Sequence, residues 1–335
     1  MTPREHIIAA IEHQETDYVP YVIPIDPEVR ERLNVHYGSP DWAKRIHGFF
    51  QGAGVKWGSE RMGAGRWTDA FGVTWADAPG AGAWHSVDVP LKEPTLEAYE
   101  FPELLPDDEL DRMAEAFSGP HDRYRHVNLG MLFFERAWAL RGMENILMDF
   151  RLHPEFAHEL FERLMQLHLD LVDRLSDLPI DAIRFGDDFG GQHGLIMGTP
   201  IWREFLKPRL AKMYARAHEH GFDVWIHSCG DNSPIIEDLI EIGVDVFNPF
   251  QPEAQDVYAM NRQVGDRITF EGGIGTQGLL PKGTPEAIRA EIQRLCEEIG
   301  RGGGFIISPT KPIMPDVPTE NAAACVEGIL DQARP

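Results

Sequence analysis

From Leu178 onward, short runs of β-branched and aromatic residues alternate with longer segments of helical periodicity, and this alternation constrains the fold more than any other feature of the chain. The pattern predicts strands at Asp181–Phe185, Val224–Ser228, Val244–Asn248, Ile268–Gly272 and Phe305–Ser308. Helices are predicted between and beyond them at Thr199–His220, Asn232–Ile242, Glu253–Val264 and Thr284–Gly300. The spacing of the strand starts leaves room for one crossover helix each, so the strands should be parallel and buried on both faces. Thr199-Pro200 and Thr284-Pro285 place a capping hydroxyl before a proline at the first helical position, and Thr319 is positioned to cap the last helix.

The N-terminal part is less regular. It reads as a helix at Thr2–His13, a first strand at Tyr18–Ile25, a β-hairpin excursion at Arg66–Val87 turned by Ala78-Pro79-Gly80-Ala81-Gly82, and a strand at His126–Met131. Helices at Glu135–Phe150 and Pro154–Leu175 follow. Gly63-x-Gly65 and Gly80-x-Gly82 lie in loop-like sequence, and no glycine-rich phosphate turn follows an early strand, which favours a closed barrel over a dinucleotide-binding sheet. The expectation is one α/β domain over residues 1–335: a single (β/α)8 barrel with an elaborated N-terminal region.

Composition narrows the function. With 31 Lys+Arg against 54 Asp+Glu, the formal charge of −23 repels a nucleic-acid backbone, so no nucleic-acid partner is expected. No stretch approaches the ~20 apolar residues of a membrane span, and residues 1–15 lack a signal peptide's basic flank and apolar run, so a cytoplasmic protein with no membrane partner is expected. Three cysteines in so long a chain argue for reduced thiols. The G-x-S-x-G, G-x-x-x-x-G-K-[ST] and H-E-x-x-H motifs are all missing.

The chemistry is expected where strands end. Residues i and i+2 of a strand share a side, so His227 and Cys229 of His227-Ser228-Cys229-Gly230 project together toward the C-terminal mouth, and imidazole plus thiolate suits zinc. Cys296 and Cys325 fall on apolar helical faces and read as packing. Asp187 and Asp188 follow the first of the later strands as candidate acid/base residues, metal ligands or substrate-hydroxyl acceptors; alternation sends only one into the site, and one can instead cap a loop. Gln251, Glu271 and Lys311 end three further strands. The resulting assignment is Asp188, Asp187 and Lys311 as catalytic, Gln251, Gln192 and Lys311 as substrate-binding, and His227, Cys229 and Glu271 as metal ligands.

The segments Arg184–Phe189, IHSCGD, IEIGVDVFNPFQPE, ITFEGGIGTQGLLPKGTPE, GGGFIISP and DVPTEN resemble the uroporphyrinogen decarboxylase superfamily, and TDAFGVTW at Thr68–Trp75 resembles its methyltransferase-like branches. The resemblance implies a (β/α)8 barrel. True decarboxylases of that superfamily carry an R-Q-A-G-R-Y signature, whereas Val19–Gly38 holds only Arg30 and Arg32, without that pattern. The zinc-dependent, corrinoid-linked methyltransferases carry H-x-C and a distant third cysteine. His227 and Cys229 match the first two; the third position falls near Lys311 or Thr310, leaving Glu271, Gln251 or an Asp to complete a zinc shell. The resemblance thus implies methyl transfer between a corrinoid and a small thiol or hydroxyl, and, with no D-x-H-x-x-G signature in the chain, a cobalamin carried by a partner corrinoid-binding protein. A metal-free decarboxylase or lyase acting on a small carboxylate, with Lys311 on the anion, and a non-catalytic binding protein are the competing readings.

Overall fold

A computed structural model describes residues 1–56, 59–63, 65–78 and 83–332. Seven strands form one parallel sheet in chain order: β1 (Phe50–Gly54), β2 (Tyr124–Leu129), β3 (Ala182–Gly186), β4 (Asp223–His227), β5 (Val246–Phe250), β6 (Thr269–Ile274) and β7 (Phe305–Pro309). The predicted strand at Tyr18–Ile25 makes two isolated parallel bridges beside β7, Tyr21 to Ile307 and Ile25 to Ile313, and Pro20 and Pro24 withhold the N–H groups a full ladder needs. β1 escapes prediction because its sequence, FQGAG, alternates glycine with its other residues.

The sheet is strongly curled. Phe50 on β1 and Trp225 on β4 are three strands apart, about 14 Å in a flat sheet, yet their ring centroids lie 5.6 Å apart. Arg184 on β3 likewise reaches Glu271 on β6 at 2.7 Å. Phe50, Tyr124, His126, Arg184, Trp225 and Glu271 therefore line the inside of a barrel-like wall. The helix Pro3–Ile11, which carries a Thr2/Glu5 capping box, closes the N-terminal end from beneath. It reaches opposite parts of the wall: Arg4 pairs with Asp181 at 2.8 Å, and the Ala10 carbonyl accepts from Gly304 N–H at 2.7 Å.

Outside the barrel, Pro154–Leu175 forms one helix as predicted, whereas Glu135–Phe150 splits into Phe134–Arg141 and Met143–Leu152 at Gly142, whose φ is +89°. The segment Thr199–Glu219 carries a π-helical turn at Trp202–Leu206, ahead of Pro208, which cannot donate to the helix ladder. Thr284 caps its helix through Ala287 N–H; Thr199 and Thr319 lie inside their helices and cap nothing. The expected hairpin belongs to a four-stranded antiparallel sheet, Ser59–Gly63, Arg66–Asp69, Thr74–Ala78 and Ala83–Asp88. Residues 79–82 of its expected turn, including Gly80-x-Gly82, lie outside the described residues; Gly63 ends the first strand and Gly65 leads into the second. Asp69 explains the TDAFGVTW segment: its carboxylate accepts from Phe71 and Val73 N–H, Trp75 Nε1 and Arg136 Nη1, folding the turn and tying this sheet to the helix Phe134–Arg141. Among the described residues no helix is long and apolar enough to cross a membrane.

Two devices fix the ends of the barrel. At the mouth, the loops after β3 and β4 touch backbone to backbone: a Cβ on Gly190 would meet the Cys229 carbonyl at 2.6 Å, and one on Gly230 would meet Gly190 at 2.4 Å. We expect Gly190→Ala to force these loops apart and lower the melting temperature by several degrees, whereas Gly54→Ala, with nothing within 4 Å of its Cβ, changes it little. At the floor, Tyr124 O–H donates to Asp223, and burial, with Asp245 and Asp181 adding to it, raises the Asp223 carboxyl to about 6. Folded Asp223 thus holds its proton more tightly than in the unfolded chain, so this residue's contribution to stability falls as pH rises from about 4 to about 6. Asp223→Asn, which keeps an acceptor for Tyr124, is expected to stabilise the protein by roughly 2–3 kcal/mol near pH 8 and hardly at all near pH 4 in urea melts.

Candidate metal centre at the barrel mouth

β4 ends at His227, and Ser228 and Cys229 begin the loop that the two glycines press onto the loop after β3. Ser228 is fully buried, its Oγ accepting from Phe189 N–H at 3.0 Å and donating to Asn232 Oδ1 at 3.2 Å. Asn232 in turn donates to the carbonyls of Ser228, Cys229 and Gly230. Gln251 Oε1 accepts from Gly230 N–H at 3.3 Å, and Asp188 Oδ1 accepts from Cys229 N–H at 2.8 Å. The loop is thus held by side chains on three strand ends.

His227, Cys229 and Asp188 offer ligand atoms that all lie within 4.8 Å of one another, each residue part-exposed. His227 Nε2 is 3.5 Å from Cys229 Sγ. Bonds of about 2.0–2.1 Å to nitrogen and about 2.3 Å to sulfur at a tetrahedral angle separate the two donors by roughly 3.5 Å, so the pair fits zinc. The imidazole is oriented from behind: Asn248 Nδ2 donates to the Glu271 carbonyl at 3.4 Å, which turns Asn248 Oδ1 toward His227 Nδ1 at 2.5 Å. Nδ1 is therefore the donor, and Nε2 presents its lone pair to the centre. Burial and the Asp188 carboxylate push the Cys229 thiol up to about 12, with Lys311 opposing the rise, so an unliganded Cys229 is no nucleophile at neutral pH. A soft sulfur, a lone-pair imidazole nitrogen and a carboxylate form a donor set suited to zinc.

The two adjacent aspartates separate in role. Asp187 is fully buried and accepts from the N–H groups of Phe133, Phe134 and Glu135 at 2.7–3.1 Å, capping the helix Phe134–Arg141 from another strand's end. These bonds give it a structural role at the helix start, and burial raises its carboxyl to about 7. Glu271 is not brought to His227 and Cys229 as a ligand: its Oε2 accepts from Arg184 Nη2 at 2.7 Å and Trp225 Nε1 at 3.0 Å, and Asp188 stands beside the pair instead. Gln251 is buried on Gly230, while Gln192 is exposed at the tip of the short hairpin Gly190–Leu195. Lys311 is exposed after β7, close enough to bear on the Cys229 thiol. Cys296 donates to Gln332 Oε1 at 3.0 Å and Cys325 is buried, both away from the mouth.

Three residues not singled out from sequence complete the interior. Glu135, at the N-terminus of its helix, is pushed up to about 8 by burial and by Asp187 and Asp188, so it keeps a proton at neutral pH. Asn248 sits inside the apolar run VFNPF and Arg184 inside AIRFG. Arg184 and Asn248 lie within segments that carry the family resemblance, but no periodicity singles out any of the three; the curl of the sheet turns them toward one interior.

The family model of uroporphyrinogen decarboxylase (URO-D) matches residues 136–330. Curated relatives include the uroporphyrinogen decarboxylases of Methylococcus capsulatus, 24% identical over 185 residues (52% of this chain, 49% of the relative), and Pseudoalteromonas translucida, 27% identical over 181 residues (50% and 49%). The chain spans about half the length of the curated relatives it matches. A methyltransferase from Methanosarcina mazei, 17% identical, superposes with a TM-score of 0.68 over 98% of both chains, which shows a shared fold. With that family model covering more than half of its length, the chain belongs to the uroporphyrinogen decarboxylase family.

Proposed function

We propose that the protein is a metal-assisted methyltransferase of this family, moving a methyl group between a corrinoid carried by a partner protein and a small thiol or hydroxyl substrate. The observation that carries the reading is the Asn248-oriented Nε2 of His227 standing 3.5 Å from Cys229 Sγ, with Asp188 beside them, at the mouth of the barrel. The fold shared with the Methanosarcina mazei methyltransferase supports it. His227, Cys229 and Asp188 would hold zinc, leaving a position for substrate. When bound, zinc lowers the pKa of a coordinated thiol or hydroxyl and so keeps the acceptor nucleophilic.

The chain's own residues do the rest. Asn248 fixes the His227 tautomer and ring. Asp188 holds Cys229 through its backbone N–H and brings its carboxylate to the centre. Glu135 stores a proton beside Asp188, available to a leaving oxygen when the reaction begins from a methyl ether. A second reading, a metal-free carboxy-lyase, rests on the decarboxylase relatives and on Glu135 as the proton donor to the carbon that loses carbon dioxide.

Metal analysis and methyl transfer from methylcobalamin separate the two. The methyltransferase reading expects about one zinc per chain in the wild type, loss of it in Cys229→Ser, and about 10–100-fold weaker zinc affinity in Asn248→Ala. Absence of zinc from the wild type and the variants alike, with no demethylation of methylcobalamin by any thiol or phenol tried, would contradict it. Carbon dioxide release from a small carboxylate by that zinc-free protein would then establish the lyase.

A further inference from the structure

Arg184 projects into the barrel from β3, its Nη2 on Glu271 Oε2 at 2.7 Å and its guanidinium carbon 4.6 Å from the Trp225 ring centroid. A guanidinium carries five N–H donors in a planar fork. Among the described residues, the bond to Glu271 is the one hydrogen bond that fork makes, and Trp225 covers only its face. The side chain keeps 18% of its surface exposed, although Trp225 and Glu271 beside it are buried. Tyr124, Asp223 and the helix Pro3–Ile11 shut the floor, so this exposure faces the mouth.

The wall above Arg184 is open. Asn128 is its register partner on β2 and shares the inward side with Tyr124 and His126, yet it is exposed. On β1, Gly54 pairs with Asn128, and a Cβ there would meet nothing within 4 Å. His126, one inward step below Asn128, is held neutral, its pKa lowered to about 3 by burial and by Arg184, and its Nδ1 has no protein hydrogen-bond partner. Solvent therefore reaches a guanidinium with donors to spare, beside an exposed Asn128. His227 pairs with Gly186, two residues beyond Arg184, about 7 Å up the barrel.

We propose that Arg184 is the anchor for a substrate carboxylate, so that the molecule worked on at His227, Cys229 and Asp188 is a small organic acid whose carboxylate lies deeper than its reacting atom. A carboxylate matches the fork bidentately, and the Asn128 amide lies beside it to donate as well. The assignment rests on the reading that the barrel mouth is the active site, and it moves the anion site from the exposed Lys311 to the interior.

Calorimetric titration of benzoate, propionate and their neutral amides, with and without zinc, tests it. Arg184→Met alone would strand the buried Glu271 charge, so it is combined with Glu271→Gln, while Arg184→Lys keeps the charge and loses the fork. The wild type is expected to bind at least one carboxylate at a single site and neither amide. Affinity should fall about tenfold or more in both Arg184 variants, at a nearly unchanged melting temperature, and stay near wild type in Lys311→Ala. Carboxylate binding that persists without zinc and still needs Arg184 upholds this assignment even if the metal reading fails. Amides binding as well as acids, no acid binding to the wild type, or loss of binding in Lys311→Ala but not in the Arg184 variants overturns it.

Discussion

The contact of two glycine backbones, Gly190 after β3 and Gly230 after β4, is the constraint from which the mouth of this barrel follows. Neither position has room for a Cβ, and Gly230 also has a φ of +85°. With the two loops in contact, Ser228 can be buried under Phe189, Asp188 can reach the Cys229 N–H, and Gln251 can hold Gly230 from the next strand. The positions of three candidate ligands are thus set by backbone packing and buried hydrogen bonds rather than by the ligands themselves, which is how a site is held ready for a cation.

Charge is layered along the barrel axis. At the floor, Asp181 and Asp223 are tied to Arg4 and Tyr124. Midway, Arg184 and Glu271 form an ion pair against Trp225. At the mouth, Asp187 accepts from three backbone N–H groups at a helix N-terminus, while Asp188 faces His227 and Cys229. Glu135, pressed against both aspartates, keeps a proton instead of adding a further charge. One carboxylate, one imidazole and one thiol then remain to meet a ligand.

Much of this was legible in the chain because it follows from local periodicity. The βα alternation placed the five later strands to within a few residues, and the i, i+2 rule put His227 and Cys229 on one side at a strand end. The same rule allowed only one of Asp187 and Asp188 into the site, without saying which; the answer depends on a helix start more than 50 residues earlier in the chain. Glu271 looked like a ligand because it comes at the end of a predicted strand, and only the curl of the sheet shows Arg184 claiming it. Asn248 lies in a segment that carries the family resemblance, but no periodicity marks it, since an amide within VFNPF gains its role only when β4 lies beside it. β1 was hidden by glycines whose missing side chains make room for His126 and leave open space beside Asn128.

The claim on which the account stands is that His227 Nε2, Cys229 Sγ and Asp188 share one metal ion. Visible absorption of the cobalt(II)-substituted protein tests it most directly, because a thiolate bound to cobalt(II) gives a charge-transfer band and tetrahedral coordination gives intense d–d bands. The account predicts both, with the charge-transfer band lost in Cys229→Ser and the d–d envelope shifted in His227→Ala and Asp188→Asn. A spectrum of hydrated octahedral cobalt, or a thiolate band that survives Cys229→Ser, would contradict it.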